Sequence, residues 1–275
     1  MPEGDTIFRA AATLHRALAG KPIVRFESMY PAVTRVHDDH PLTASHVEKV
    51  SSSGKHVLMY FANGFVLRTH MRMNGSWHIY RPGERWQRPA RDMRILIATA
   101  DFEAVAFSVP VAEMIKTTAL AKHRPLATLG PDLLGDRFDR EEAIRRLRAH
   151  PDSQVAEALL NQRIAAGIGN VYKSEVLFSC RINPFVTVAA LSDEQLACLI
   201  DTGRQLLLAN VTSRLAPMTT YTGFRRTTRR DDPSERLWVY GRARLPCRRC
   251  GTPIEIRKQG TDARLTYWCS QCQAS

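Results

Sequence analysis

Cys247-Arg248-Arg249-Cys250 is followed, eighteen residues later, by Cys269-Ser270-Gln271-Cys272. Two CxxC pairs at that separation make a compact tetrahedral zinc site, because each tight turn offers two thiolates; paired disulfides are the other arrangement open to four cysteines. The stretch between them, Ile254-Glu255-Ile256 through Leu265-Thr266-Tyr267-Trp268, has room for a hairpin. A tail of roughly fifty residues buries too little core alone, so metal sets its fold, with one zinc ion expected per chain. From residue 225 onward twelve Arg and Lys stand against five Asp and Glu, a net of +7. A zinc-stapled hairpin so charged suits a polyanion.

The chain has 275 residues, enough for two domains, with 44% hydrophobic and 24% charged residues. Its net charge of +12 speaks to partners, and nucleic acid is the common partner of a basic protein. Composition does not exclude RNA as that partner. Of six cysteines, Cys180 and Cys198 stand outside the zinc pattern in apolar helical surroundings, where buried free thiols and a reducing compartment are expected. No run of 18 apolar residues offers a membrane span, and Met1-Pro2-Glu3-Gly4-Asp5 has no secretory character. A cytoplasmic monomer with no membrane partner is the expectation.

Ile7, Ala11, Leu14 and Leu18 recur at helical period and predict an amphipathic helix over 6–19, ended by Gly20 and Pro22. The next hundred residues read as strands. His56 to Ala62 and Phe65 to Met71 flank Asn63-Gly64, a strong hairpin signal, and Ser76 to Arg81 and Ile95 to Val109 continue the pattern. Leu129-Gly130-Pro131-Asp132-Leu133-Leu134-Gly135 reads as linker, followed by helices over 140–149, 152–162 (capped by Asp152), 170–180 and 193–210. The polar stretch 221–236 is expected to be mobile. The fold class is α+β and multidomain: a β-sandwich with a leading helix over 1–120, a linker over 121–135, a helical domain over 136–220, and a four-cysteine finger over 237–275.

Two constellations bear on chemistry. Gly167-Ile168-Gly169-Asn170 turns into a helix and delivers backbone N–H groups and the Asn170 amide at its N-terminus, which suits a phosphate; a plain capped turn is the other reading. Proline at position 2 favours removal of Met1, leaving a secondary amine that can form an iminium with C1′ of a deoxyribose. An α-amino group titrates near 8; the positive end of the following helix depresses this value and Glu3 raises it. Glu3 also puts a carboxyl beside the amine to shuttle protons. By itself, a Met-Pro-Glu opening is an ordinary processed terminus.

Met1-Pro2-Glu3-Gly4, Gly54-Lys55, His70 with Met73-x-Gly75, Leu129-Gly130-Pro131-Asp132-Leu133, Gln162 through Gly167-Ile168-Gly169-Asn170-Val171-Tyr172, and Val239-Tyr240-Gly241-Arg242 occur in one order before the finger. In that order they resemble the formamidopyrimidine-DNA glycosylase and endonuclease VIII family of bifunctional base-excision repair enzymes, across essentially the whole chain. Pro2-Glu3-Gly4-Asp5-Thr6 is more similar to the endonuclease VIII branch. The resemblance implies a helix-two-turns-helix fold for the helical domain and double-stranded DNA with damaged bases or abasic sites as partner. It implies Pro2 as nucleophile, Glu3 as acid/base, Lys55 as a phosphate-binding group that assists later steps, and Arg264 as a phosphate grip. It also implies Asn170 as a backbone contact, with Gly167, Gly169 and Tyr172 in the same DNA-binding turn.

Arg72-Met73-Asn74 stands where familiar endonuclease VIII members place a Gln-Leu-Tyr wedge, so Arg72 and Met73 become the void-filling candidates. Met73 is the apolar wedge of the purine-lesion branch, whereas the opening motif points to the pyrimidine branch. Stretch 221–236 lacks the lesion-covering Asp-Gly-Lys-Pro-Gly-Tyr of the formamidopyrimidine branch, which favours oxidised pyrimidines. The expectation is a glycosylase and abasic-site lyase acting through Pro2 with β,δ-elimination. Its rivals are an oxidised-purine glycosylase and a non-catalytic zinc-ribbon DNA-binding protein.

Overall fold

The computed structural model describes residues 2–211, 225–228 and 232–274. Within the stretch 221–236, residues 221–224 and 229–231 lie outside the described residues, as do 212–220 at the end of the expected helical domain. The chain divides into two compact units, with the change between Ala127 and Thr128.

The first unit opens with α1 (Gly4–Leu18), then β1 (Arg25–Ser28), α2 (Pro31–Asp39), β2 (Val47–Ser53), β3 (His56–Phe61), β4 (Phe65–His70), β5 (Ser76–Tyr80), β6 (Met93–Ala98), β7 (Glu103–Phe107), β8 (Val111–Lys116) and short α3 (Arg124–Ala127). The strands make two four-stranded antiparallel sheets, β2-β3-β4-β8 and β1-β6-β7-β5. They form the β-sandwich. Ile7, Leu14 and Leu18 of α1 join Val57, Met59 and Leu67 of one sheet and Trp77, Ile95 and Ala106 of the other in a single buried core. Leu14 and Leu18 are essentially unexposed, and each contributes on the order of 2 kcal/mol.

Two expectations need correction here. Residues 31–39 are helix, with Pro31 at the first turn, where its missing N–H is harmless, and Val33 buried. The apolar run from Ile95 to Val109 is two strands, β6 and β7, reversed where Thr99 accepts at Oγ1 from the N–H groups of Asp101 and Phe102. The run lacks alternation because this sheet is apolar on both faces. Leu96, Ala98, Val105, Phe107 and Tyr80 form a second cluster on the outer face, against which Trp86 packs.

The second unit holds α4 (Arg140–Arg148), α5 (Val155–Leu160), α6 (Asn170–Ser179), α7 (Asp193–Val211), β9 (Glu255–Gln259) and β10 (Arg264–Trp268). Asp139 caps α4 by accepting the Glu142 N–H at 2.9 Å. Helix α5 is shorter than the 152–162 expected and is entered through Gln154, not Asp152. The segment Leu129–Gly135 is no free tether. Gly130 N–H donates to Gln162 O, Asp132 bridges to Ala166 with the Leu133 N–H donating to Ala166 O, and Leu133 is fully buried. A Cβ at Gly130 would come within 2.3 Å of the Ile164 carbonyl oxygen, which explains the glycine.

The free-thiol expectation is also overturned. Cys180, at the C-cap of α6, and Cys198 of α7 form a disulfide, with Cα atoms 6.1 Å apart. Antiparallel packing of α6 on α7 brings together two cysteines that the sequence separates by 18 positions. They therefore give no argument for a reducing compartment. Among the described residues, no helix is long and apolar enough to cross a membrane.

Candidate functional site

In the first unit, Pro2 is half-buried and Glu3, wholly buried, stands at the N-cap of α1, its carbonyl accepting the Ile7 N–H at 3.0 Å. Any group at the start of this helix feels its positive end. Lys55 occupies a two-residue turn with Gly54, between β2 and β3, where Gly54 takes φ +55°. A left-handed first turn position favours glycine, so Gly54 is what lets the lysine sit at a tight tip.

His56 and His70 pair across β3 and β4 next to that tip. Burial holds His70 down to about 4, aided by the charges of Lys55, Arg68 and Arg72. Burial likewise holds His56 down to about 3, with His70, Arg68 and His123 adding to the effect. Buried Arg68 links His56 Nδ1, at 2.8 Å, to the Glu113 carboxylate, also at 2.8 Å. His70 Nδ1 accepts the Arg72 N–H at 3.1 Å and so starts the next loop. Arg72 takes φ +46° and Met73 is 53% exposed, while Gly75 closes the loop by donating to Met71 O. A Cβ on Gly75 would meet that oxygen at 2.6 Å, so no other residue closes the loop this tightly. Lys55 and Arg72 thus flank one neutral histidine, an arrangement suited to an anion.

In the second unit the turn before α6 is built around a side chain. Gln162 Oε1 accepts the Gly167 N–H at 3.0 Å, and its Nε2 donates to Leu160 O and Ile168 O. Gly167 has φ +119°, and Gly169 caps α6. Asn170 is 5% exposed: Nδ2 donates to Leu265 O at 2.8 Å, and Oδ1 accepts from Lys173 Nζ at 2.8 Å. Asn170 therefore lies against β10 beside Arg264, which faces Asp262 at 3.5 Å. Tyr172 is fully buried, with the Arg225 guanidinium 5.6 Å over its ring.

Glu175 carries no motif that marks it in the sequence. Fully buried, it accepts the N–H groups of Trp238, Val239 and Tyr240 at 2.8–2.9 Å and the Thr227 hydroxyl, which pins Val239-Tyr240-Gly241-Arg242 to α6. Burial pushes its carboxyl up while these four donors pull it down. Nothing in an isolated helix sequence separates such a glutamate from a solvated one.

The four finger cysteines converge with all Sγ atoms within 4.8 Å of one another. Sulfurs about 2.3 Å from a tetrahedral zinc lie about 3.8 Å apart. Cys247–Cys272 at 3.8 Å, Cys250–Cys272 at 3.5 Å and Cys250–Cys269 at 3.4 Å approach that spacing, so the donor set fits a structural zinc. The knuckle rests on α6, because Cys247 and Cys269 share a core with Phe178, Val239, Ile254 and Tyr267.

Residues 1–110 match the formamidopyrimidine-DNA glycosylase N-terminal domain, 129–220 its H2TH domain, and 244–274 the zinc finger found in FPG and IleRS. The chain is 42% identical over 277 residues to the probable endonuclease 8 2 of Streptomyces coelicolor, covering 100% of this chain and 94% of the relative. It is 38% identical to the DNA-(apurinic or apyrimidinic site) lyase Nei2 of Mycolicibacterium smegmatis, covering both chains in full. It is 30% identical to an Escherichia coli endonuclease 8, covering 99% of this chain and all of the relative. The Lactococcus lactis formamidopyrimidine DNA glycosylase, solved non-covalently bound to DNA containing an AP site, superposes with a TM-score of 0.83 at 23% identity over both full chains.

Proposed function

Because the chain belongs to the formamidopyrimidine-DNA glycosylase and endonuclease VIII family, we infer that it is a DNA glycosylase and abasic-site lyase of base-excision repair. Oxidised pyrimidines in duplex DNA are its proposed substrates. The observation that carries the chemistry is Glu3, wholly buried at the head of α1 and covalently next to Pro2.

With Met1 removed, the Pro2 nitrogen bonds to C1′ of the extruded nucleotide. The C1′–base bond breaks with its electron pair leaving on the base, which takes up a proton. Glu3 protonates O4′ as the sugar ring opens, giving the iminium. The iminium acidifies C2′–H, and loss of that proton gives an enamine that expels the 3′ phosphate. Loss of the C4′ proton from the resulting conjugated iminium expels the 5′ phosphate, and water hydrolyses the C1′–N bond to free Pro2. Lys55 and Arg72 hold phosphate near the reacting sugar, and exposed Met73 fills the space left in the stack. Asn170 and Arg264, both in the second unit, contact backbone phosphate, with Gly167 and Gly169 shaping the turn and buried Tyr172 packed within it. The enzyme is proposed to act as a monomer with one zinc per chain. Cys247, Cys250, Cys269 and Cys272 would hold that ion, which supplies the fold of the finger and no step of the reaction.

Borohydride trapping on abasic or thymine-glycol duplexes tests this. Wild type should give a stable protein–DNA adduct, and Pro2→Ala or a blocked N-terminus should abolish it. A non-catalytic zinc-ribbon binder would give none. An adduct that survives Pro2→Ala would move the nucleophile elsewhere. Single-lesion duplexes carrying oxidised pyrimidines or purines decide the substrate class.

A further inference from the structure

Lys173 is the least expected polar group in the second unit: a lysine on α6 that is 1% exposed. Its Nζ lies 2.8 Å from Asn170 Oδ1, 3.2 Å from Leu265 O and 2.8 Å from Thr266 Oγ1. An ammonium has three donors and no acceptor, so it can meet these oxygens only as a donor. We propose that Lys173 is a positioning residue that fixes the Asn170 amide and the β10 backbone beside Arg264, joining two separate phosphate contacts into one rigid seat.

The argument is one of directionality. An asparagine amide can turn its oxygen and nitrogen either way at little intrinsic cost. A buried group that only donates removes the choice, because Oδ1 must face it. Nδ2 then donates to Leu265 O at 2.8 Å and keeps its second hydrogen for another acceptor. The same ammonium dictates the rest of the chain. Thr266 accepts from Lys173, so its single hydroxyl hydrogen goes to Gln259 Oε1 at 2.7 Å. Gln259 Nε2 donates in turn to Gln154 Oε1 at 2.6 Å and Pro184 O at 3.1 Å. Lys173, Asn170, Thr266 and Gln259 are all buried, where hydrogen bonds are strong and a misdirected one is costly. A single line of bonds therefore runs from the N-cap of α5 through β9 and β10 to the first residue of α6. Leu265, which takes hydrogen bonds from both Asn170 and Lys173, follows Arg264 directly in β10. Anchoring its carbonyl sets where the Arg264 side chain leaves the strand.

The inference rests on the reading of Asn170 and Arg264 as phosphate contacts, and a double-mutant cycle separates the two claims. Affinity for an abasic-site duplex is measured for full-length wild type, Lys173→Met, Asn170→Ala and the double variant, with thermal melting and zinc content recorded for each. Lys173→Met keeps the stem but no donor, and should weaken binding about tenfold. In the Asn170→Ala background the same change should cost threefold or less. Lys173→Gln, which retains an N–H2 donor, should recover part of the loss and guards against a simple folding defect. In the DNA-free protein, the Asn170 side-chain NH2 resonances should be sharp and slow to exchange in wild type and should broaden in Lys173→Met. Losses that add in the double variant, or wild-type NH2 behaviour in Lys173→Met, would overturn the positioning role alone. Wild-type affinity in Asn170→Ala would overturn the phosphate reading and this inference with it.

Discussion

His56 and His70 face each other across the β3–β4 ladder with ring centroids 4.7 Å apart, one residue from Lys55 and two from Arg72 respectively. Both are held neutral, at about 3 and about 4, mainly by burial. The strand ends that carry two proposed phosphate contacts are therefore joined through a pair of uncharged rings.

That pairing predicts acid sensitivity with a definite sign. An unfolded histidine titrates near 6.5, so below that pH the unfolded chain binds protons that the folded pair refuses. Stability from this pair is fully present above about pH 6.5 and declines as pH falls toward about 4 and then 3. Urea midpoints for wild type should drop over that range. His56→Gln, which keeps an acceptor for Arg68 but cannot titrate, should give a shallower decline. Parallel declines for the two proteins would show that other groups are responsible.

Glu3 has a separable role. Glu3→Gln should slow excision of an intact lesion by roughly a hundredfold or more, the range for loss of a general acid. Cleavage of a pre-formed abasic site, which needs no base departure, should fall less. Equal losses on the two substrates would assign Glu3 to binding or folding.

Removing zinc should reach beyond the finger. Arg249, inside the first CxxC pair, donates to Phe178 O at 3.1 Å and lies 4.3 Å over the Phe178 ring. Release of the metal frees this knuckle from α6, so chelated protein should melt lower and bind an abasic duplex roughly tenfold or more weakly. Freshly purified, active protein that contains no zinc by elemental analysis would refute this. Replacing Cys180 or Cys198 by Ser should leave metal content unchanged.

Arg264 and Asn170 should separate by salt dependence. Arg264→Ala is expected to reduce binding by about 1.5–3 kcal/mol, roughly ten- to a hundredfold, as for loss of a charge-assisted phosphate contact. It should also lower the slope of log affinity against log salt by about 0.9. The exposed Asp262 partner offsets little of this, since surface ion pairs contribute about 0–1 kcal/mol. Asn170→Ala should weaken binding with almost no change in slope. Identical slopes for wild type and Arg264→Ala on one lesion duplex would exclude the ionic contact.

The local rules were legible along the chain: the CxxC spacing, the helical period of α1, the Asn63-Gly64 hairpin and the glycine turn before Asn170 each act within a few residues, and each stands in the structure where the sequence placed it. What tertiary structure alone decided is the fate of the charges. Lys173 and Glu175 would read as a solvated face of α6, yet both are buried because α5, α7 and β10 pack on that helix and Thr227 and residues 238–240 close over Glu175. The finger's arginines, counted as charge for a polyanion, are partly used within the protein. Arg242 holds Trp238 O and Pro246 O, Arg248 holds Leu237 O and Ser234 O, and Arg249 covers Phe178. The Cys180–Cys198 disulfide and the line of bonds from Lys173 have the same origin. Each depends on partners brought close by packing between distant segments, and a polar side chain carries no local mark of whether it will meet water or another buried polar group.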